Sequence, residues 1–162
     1  MAQGEELLIA EHSDPEHAGL LRVLTSDGFV CTLAEHPQHA RDLLRTKFFP
    51  VALIDLDFGG TGTGLELAAY IAEYSSATKI VMRTERRSFD AAVEALRLGV
   101  TDVVGHRVDQ LPQLRAALSV ARDRYLAGSK DGALFRETRA VLDDAMRILL
   151  SLGRKLYSSE GS

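Results

Sequence analysis

The chain reads as an α/β domain: a five-stranded parallel sheet with helices on both faces, in three layers, followed by a C-terminal helical extension. Three observations carry that expectation. Short apolar runs alternate with helix-periodic stretches in five units spaced at about 20–25 residues, the alternation that builds a parallel sheet. The connections are short, and short right-handed crossovers place helices on both sides of such a sheet. The run Val51–Ile54 is apolar at every position, as a strand buried on both faces requires.

The elements follow in order. Leu7–Ala10 predicts the first strand, and the polar group Glu11, His12, Ser13, Asp14 with Pro15 predicts a loop and a helix start. Ser13 or Asp14 can accept the free amide hydrogens of that helix, and proline is tolerated in its first turn. Leu20, Leu21, Val23 and Leu24 give the helix its apolar face, and Asp27-Gly28 breaks it. Phe29–Ala34 predicts a second strand; Pro37–Arg45 predicts a helix with Ala40, Leu43 and Leu44 inward. After the strand at Val51–Ile54 come Asp55, Asp57 and a glycine-rich turn, then a helix with Leu67, Tyr70, Ile71 and Tyr74 on one face. Lys79–Met82 predicts the fourth strand, and Phe89–Leu98 a helix closed by Gly99. Val100–Gly105 holds a short fifth strand, and Leu111 to Ala127 a fifth helix.

Gly128-Ser129-Lys130-Asp131-Gly132 reads as a breaker, which divides the chain into a domain over 1–127 and a linker plus helix over 128–162. Along that last helix Leu134, Thr138, Val141, Ala145, Ile148 and Leu152 recur at alternating gaps of four and three. Phe135, Leu142, Met146, Leu149 and Leu156 form a neighbouring stripe. A face that broad wants a partner, and a homodimer through this helix is the expectation over packing back onto the domain.

Bulk properties exclude several classes. A length of 162 residues suits one domain with an appendage, and 46% apolar with 26% charged residues describes a soluble globular chain. The net charge of -4 and the lack of a concentrated basic stretch argue against a direct nucleic-acid partner. No apolar run reaches membrane-spanning length, and the start MAQGEE lacks a signal peptide's basic and hydrophobic parts, so a cytoplasmic location is expected. Cys31, the single cysteine, reads as a small core residue. The loop Gly59–Gly64 runs into Leu65-Glu66 and lacks the lysine and hydroxyl residue of a phosphate-gripping loop. Arg83, Arg86 and Arg87 read as a solvated approach to the fourth helix, and His17, His36 and His39 as surface residues.

Asp55 stands past the carboxyl end of the third strand, where open α/β sheets hold their chemistry. Taken with Glu11 after strand one, the GLEL segment Gly64–Leu67, Thr84 ending strand four and the EALRLGVTDVV segment Glu94–Val104, the chain resembles a known family. That family is the receiver domain of bacterial two-component response regulators, CheY-like and doubly wound in the flavodoxin manner. The resemblance covers Glu6 to Tyr125. It implies a signalling module rather than an enzyme, with a histidine kinase or phosphotransfer protein upstream and a signalling protein downstream.

By the same resemblance Asp55 is the phosphoacceptor, with Asp57 its rival, and Glu11, His12, Asp55 and Asp57 correspond to the surroundings of a Mg²⁺ ion. A carboxylate that attacks an anionic phosphorus needs such cationic support. Thr84 and His106, or Arg107 beside it, would steady the phosphoryl oxygens. Four departures weaken this set. His12 replaces an acid, and imidazole is a poor Mg²⁺ ligand. Glu85 places bulk and negative charge where the family keeps a small residue. His106 replaces a lysine, turning a dependable cation into a conditional one. Val103 lacks the aromatic ring that reports phosphorylation in many relatives. The expectation is a degenerate receiver that works as a protein-interaction module with weak or no phosphorylation; the alternative is a working phosphoacceptor modified at Asp55. A third reading gives Glu11, His12, Asp55 and His106 a transition metal, although no tight ligand spacing supports it.

Overall fold

The computed structural model describes residues 4–159, with side chains throughout that range except at 129–140, 143 and 155–159. The strands are β1 (Glu5–Ala10), β2 (Phe29–Leu33), β3 (Val51–Asp55), β4 (Lys79–Thr84) and β5 (Asp102–Gly105). The helices between and after them are α1 (His17–Ser26), α2 (Pro37–Thr46), α3 (Thr63–Tyr74), α4 (Phe89–Arg97) and α5 (Leu111–Ser159). All strand pairs are parallel and the order is β2-β1-β3-β4-β5, which puts β3 at the centre and the chain reversal between β1 and β3. This is the doubly wound, flavodoxin-like arrangement, in which the crevice at the strands' carboxyl ends is the place for a site.

Strand parity divides the core in two. Leu8, Ala10, Ala52, Ile54, Ile80 and Met82 face α2, α3 and α4, where they meet Ala40, Leu67, Ala68, Ile71 and Ala95. Leu7, Ile9, Val51, Leu53 and Val81 face the other way, against Leu24 of α1 and Leu114, Ala117, Leu118 and Ala121 of α5. The residues Leu114, Leu118 and Ala121 are therefore core, while Tyr125 is half-buried. Leu53 is fully buried in the central strand, so Leu53→Ala should cost about 2–5 kcal/mol, read as a lowered denaturation midpoint with an unchanged slope.

Caps and turns fit the local sequence. Asp14 Oδ1 accepts from the N–H groups of Glu16 and His17 (2.9 and 3.1 Å), which starts α1 two residues later than Pro15. Ser88 Oγ accepts from Ala91 N at the start of α4 (3.2 Å). Gly62, at φ 74°, turns the chain into α3 through a left-handed conformation that suits glycine. β4 runs two residues past its expected end at Met82, to Thr84.

The chain divides into two compact units, Met1–Tyr125 and Leu126–Ser162. The expected breaker at Gly128–Gly132 does not break the backbone, which stays helical through it from Leu111 to Ser159. A helical glycine costs only about 1 kcal/mol against alanine, and Ser, Lys and Asp between the two glycines bring no proline to interrupt the hydrogen-bond ladder. In the second unit Val141, Leu142, Met146, Ile148, Leu149, Leu150 and Leu152 are exposed. The stripe members Leu134, Phe135, Thr138 and Leu156 lie outside the described side chains. Among the described residues no helix is long and apolar enough to cross a membrane.

Candidate functional site

Asp55 closes β3, and its Oδ1 accepts the N–H of Asp57 at 2.8 Å. Its position is held from below by backbone. Gly64 N donates to Leu56 O (2.8 Å), and Leu56 N donates to Arg83 O on β4 (2.9 Å). The start of α3 lies so close to this turn that a Cβ on Gly64 would collide with Asp55 O and approach Leu56 Cα to 2.8 Å. The free side of the Asp55 carboxylate faces His106 from the end of β5, with Oδ2 3.5 Å from Nε2.

The other expected residues are only partly gathered around Asp55. Glu11 follows β1 but keeps the inward parity of Leu7 and Ile9, and its side chain is 2% exposed. There Arg83 Nη1 donates to both of its oxygens, at 3.2 and 3.3 Å. His17 of α1 approaches the same carboxylate, with Nε2 3.6 Å from Oε2. Arg83 also donates from Nη2 to His106 O at 3.4 Å, which ties the pair to the end of β5. Burial raises the Glu11 carboxyl above its ordinary range, against the pull of Arg83, His106 and His17. The group floors a cleft of about 410 Å³ whose walls include Leu20, Val23 and Leu111.

Asp57 is also engaged. Arg86 donates to it from Nε (3.0 Å) and Nη2 (2.7 Å), and Gly62 N donates to Oδ1 at 2.9 Å. Burial acts against the ionised form, but the Gly62 N–H and the Arg86 guanidinium prevail and hold Asp57 below the usual carboxylate range. A carboxyl lowered in the folded state stabilises the fold once pH exceeds its unfolded value, and that share is lost as pH falls through the folded value. The stability gap between the wild type and Asp57→Asn should therefore close on acidification between about pH 5 and pH 2, measured by urea melts.

The remaining residues serve their own loops. The Thr84 hydroxyl accepts from Arg86 N (3.0 Å) and donates to Arg86 O (3.2 Å). Glu85 is 80% exposed, with Oε1 3.7 Å from His106 Nδ1, so the imidazole stands between two carboxylates. Arg107 pairs with Asp109 at 3.0 and 2.6 Å. His12 lies over Phe58, with its Nε2 3.3 Å from Asp57 O and 3.4 Å from Gly59 N. Val103 is half-buried against the α2, α3 and α4 side of the core.

Two residues read as surface groups prove to be interior. Arg83 is 7% exposed and His17 6%, and each has one buried nitrogen without a hydrogen-bond partner, Nε and Nε2 respectively. The available signal for Arg83 was parity, since it stands two places after Val81 on a strand longer than predicted. The signal for His17 was helical spacing, since it stands three, four and seven places before Leu20, Leu21 and Leu24 on the inward face of α1.

A Mg²⁺ ion wants nearly octahedral oxygen ligands and gives up its waters reluctantly. The residues present do not fit it. Glu11 is buried on a guanidinium, Asp57 is committed to Arg86 and Gly62, and His12 offers nitrogen. Among the described residues no group of three or more His, Cys, Asp or Glu is placed to hold a metal ion of any kind, and Glu11, His12, Asp55 and His106 do not form one.

A central strand that ends in an acid, in a parallel sheet of this order, defines the class of α/β domains that present a carboxylate at a topological switch point. Comparison with known proteins narrows the class. The chain belongs to the response regulator receiver domain family, whose model matches residues 7–119. It is 34% identical over 88 residues to the response regulator protein PilR of Pseudomonas aeruginosa, a match covering 54% of this chain and 19% of PilR. The chain thus spans about a fifth of the curated relative it matches. Among solved structures it is similar to NtrX from Brucella abortus, with TM-score 0.71 and 16% identity over 81% of this chain and 29% of that one. The signal receiver domain of an HD domain-containing protein from Pseudomonas fluorescens gives TM-score 0.68 and 17% identity, over 76% and 98%. The response regulator TrrA from Thermotoga maritima, solved in complex with Mg²⁺ and BeF, gives TM-score 0.61 and 18% identity, over 72% and 98%.

Proposed function

We propose that this receiver domain signals by binding other proteins, and that its Asp55 is a poor phosphoryl acceptor. The observation that carries the reading is the capture of Glu11 by Arg83 inside the fold, where the carboxylate is 2% exposed. A carboxylate nucleophile has to approach an anionic phosphorus, so it depends on cationic groups aimed at the incoming oxygens. Here Arg83 is spent on Glu11, Arg86 on Asp57 and Arg107 on Asp109. The Thr84 hydroxyl is turned onto its own loop, and His106 is shared between Asp55 and Glu85. Incubation with Mg²⁺ and a small acyl phosphate, followed by intact-mass measurement, should give no stoichiometric adduct. A full adduct that disappears in Asp55→Asn would establish the alternative, a phosphoacceptor served by a histidine kinase or phosphotransfer protein.

On this reading the extension supplies part of the binding surface. Val141, Ile148 and Leu152 are exposed members of the four-three repeat, and Leu142 and Leu149 stand beside them. A sustained four-three repeat is complementary to itself, which favours a second copy of this chain as partner. Light scattering of the full chain should give a dimer mass, and Ile148→Asp with Leu152→Asp should give a monomer. Equal monomeric masses would dispose of the dimer. The binding module so described acts in the cytoplasm, toward a downstream signalling protein.

A further inference from the structure

We propose that Arg83 is the resident cation of this rim, a positioning residue that holds Glu11 inside the fold and so closes the pocket to divalent ions. The claim builds on the binding-module reading but concerns ion binding, which is measured separately from phosphorylation. Three carboxylates follow the carboxyl ends of β1 and β3, those of Glu11, Asp55 and Asp57. Two guanidiniums already answer them: Arg83 bridges both oxygens of Glu11, and Arg86 both oxygens of Asp57. A divalent ion would bring two positive charges to a place where two are already fixed. To recruit Glu11 it would also have to break a pair whose side chains are 9% and 2% exposed, and leave Arg83 buried without a counter-ion. The second anchor of Arg83, from Nη2 to His106 O, resists its withdrawal.

The reverse follows when the guanidinium is removed. With methionine at 83, Glu11 keeps only the His17 imidazole beside it in the interior, without the guanidinium that bridged both of its oxygens, and its favoured course is to turn to the rim beside Asp55, where an ion can reach both. The experiment is a titration of the full chain with MgCl₂ against KCl of matched ionic strength, followed by amide chemical shifts and melting temperature. In the wild type, Ala10–His12 and Asp55 amides should not move at millimolar Mg²⁺, and the melting temperature should not change. Arg83→Met should melt lower, and Mg²⁺ should restore part of the loss, with an affinity at least about tenfold above that of the wild type. The double variant Glu11→Gln/Arg83→Met should lose that rescue. The proposal is overturned if the wild type binds Mg²⁺ below millimolar with shifts at Glu11 and Asp55, a result that needs no variant to fold. It is equally overturned if folded Arg83→Met is as blind to Mg²⁺ as the wild type. A phosphoryl adduct on a chain that does not bind Mg²⁺ would remove the reading of the previous subsection and leave this one standing.

Discussion

Glu11→Ala should destabilise the domain by about 3–5 kcal/mol, a large effect for a residue at the edge of a strand, because it strands a buried guanidinium. Arg83 is 7% exposed, and its Nη1 has both Glu11 oxygens as acceptors, so deletion of that carboxylate leaves a mostly buried charge without its counter-ion and with His106 O as its remaining acceptor. Arg83→Met, which strands the carboxylate instead, should also destabilise. The double variant Glu11→Met/Arg83→Met should come out near the wild type or above it, because a buried ion pair gains little over well-packed apolar groups of similar volume. Urea denaturation of the four proteins closes the cycle. Additive losses would mean that the two side chains do not depend on each other, and would contradict the pairing seen in the fold. His17 extends the test. Its Nε2 is buried 3.6 Å from Glu11, so His17→Phe should be tolerated far better than Glu11→Ala.

Gly64→Ala should cost about 3 kcal/mol or more, at the upper end of what an overpacked site loses. The added Cβ meets main chain, at Asp55 O and Leu56, rather than the end of a side chain that can swing away. Relief requires α3 to withdraw from the β3 turn, which breaks the Gly64 N to Leu56 O hydrogen bond and with it the support under Asp55. A reduced melting temperature should therefore come with shifted amides at Asp55–Asp57, and with little change at the far end of the sheet. Gly153→Ala is the matched control, since a Cβ there meets nothing within 4 Å. An equal effect at both positions would show that loss of glycine, rather than close approach, is responsible.

The fold was legible because its signals are local. Each apolar run and each helix-periodic stretch can be read within its own ten residues, and Val51–Ile54, apolar throughout, identified the central strand. The errors are of the same local kind. Gly128 and Gly132 looked like a stop, yet glycine lowers helix stability without forbidding it, and the backbone continues. Met82 looked like the end of β4, yet Arg83 and Thr84 pair with Val104 and Gly105 and extend the strand.

The site was less legible, because its outcome depends on pairings between distant residues. Sequence placed Asp55 at the rim, led to the expectation of Glu11, His12, Thr84 and His106 around it, and marked the changes at 12, 85, 103 and 106. It had no means of telling that Glu11 would spend its charge on a residue 72 positions away, or that Asp57 would do so on one 29 positions away.

Apolar periodicity and turn chemistry, written along the chain, determined the order of elements and the position of the central acid. The partner of each charge was decided only in three dimensions. A carboxylate in a low-dielectric interior takes whichever cation the packed strands bring within reach, and that proximity exists only once β1, β3 and β4 lie side by side.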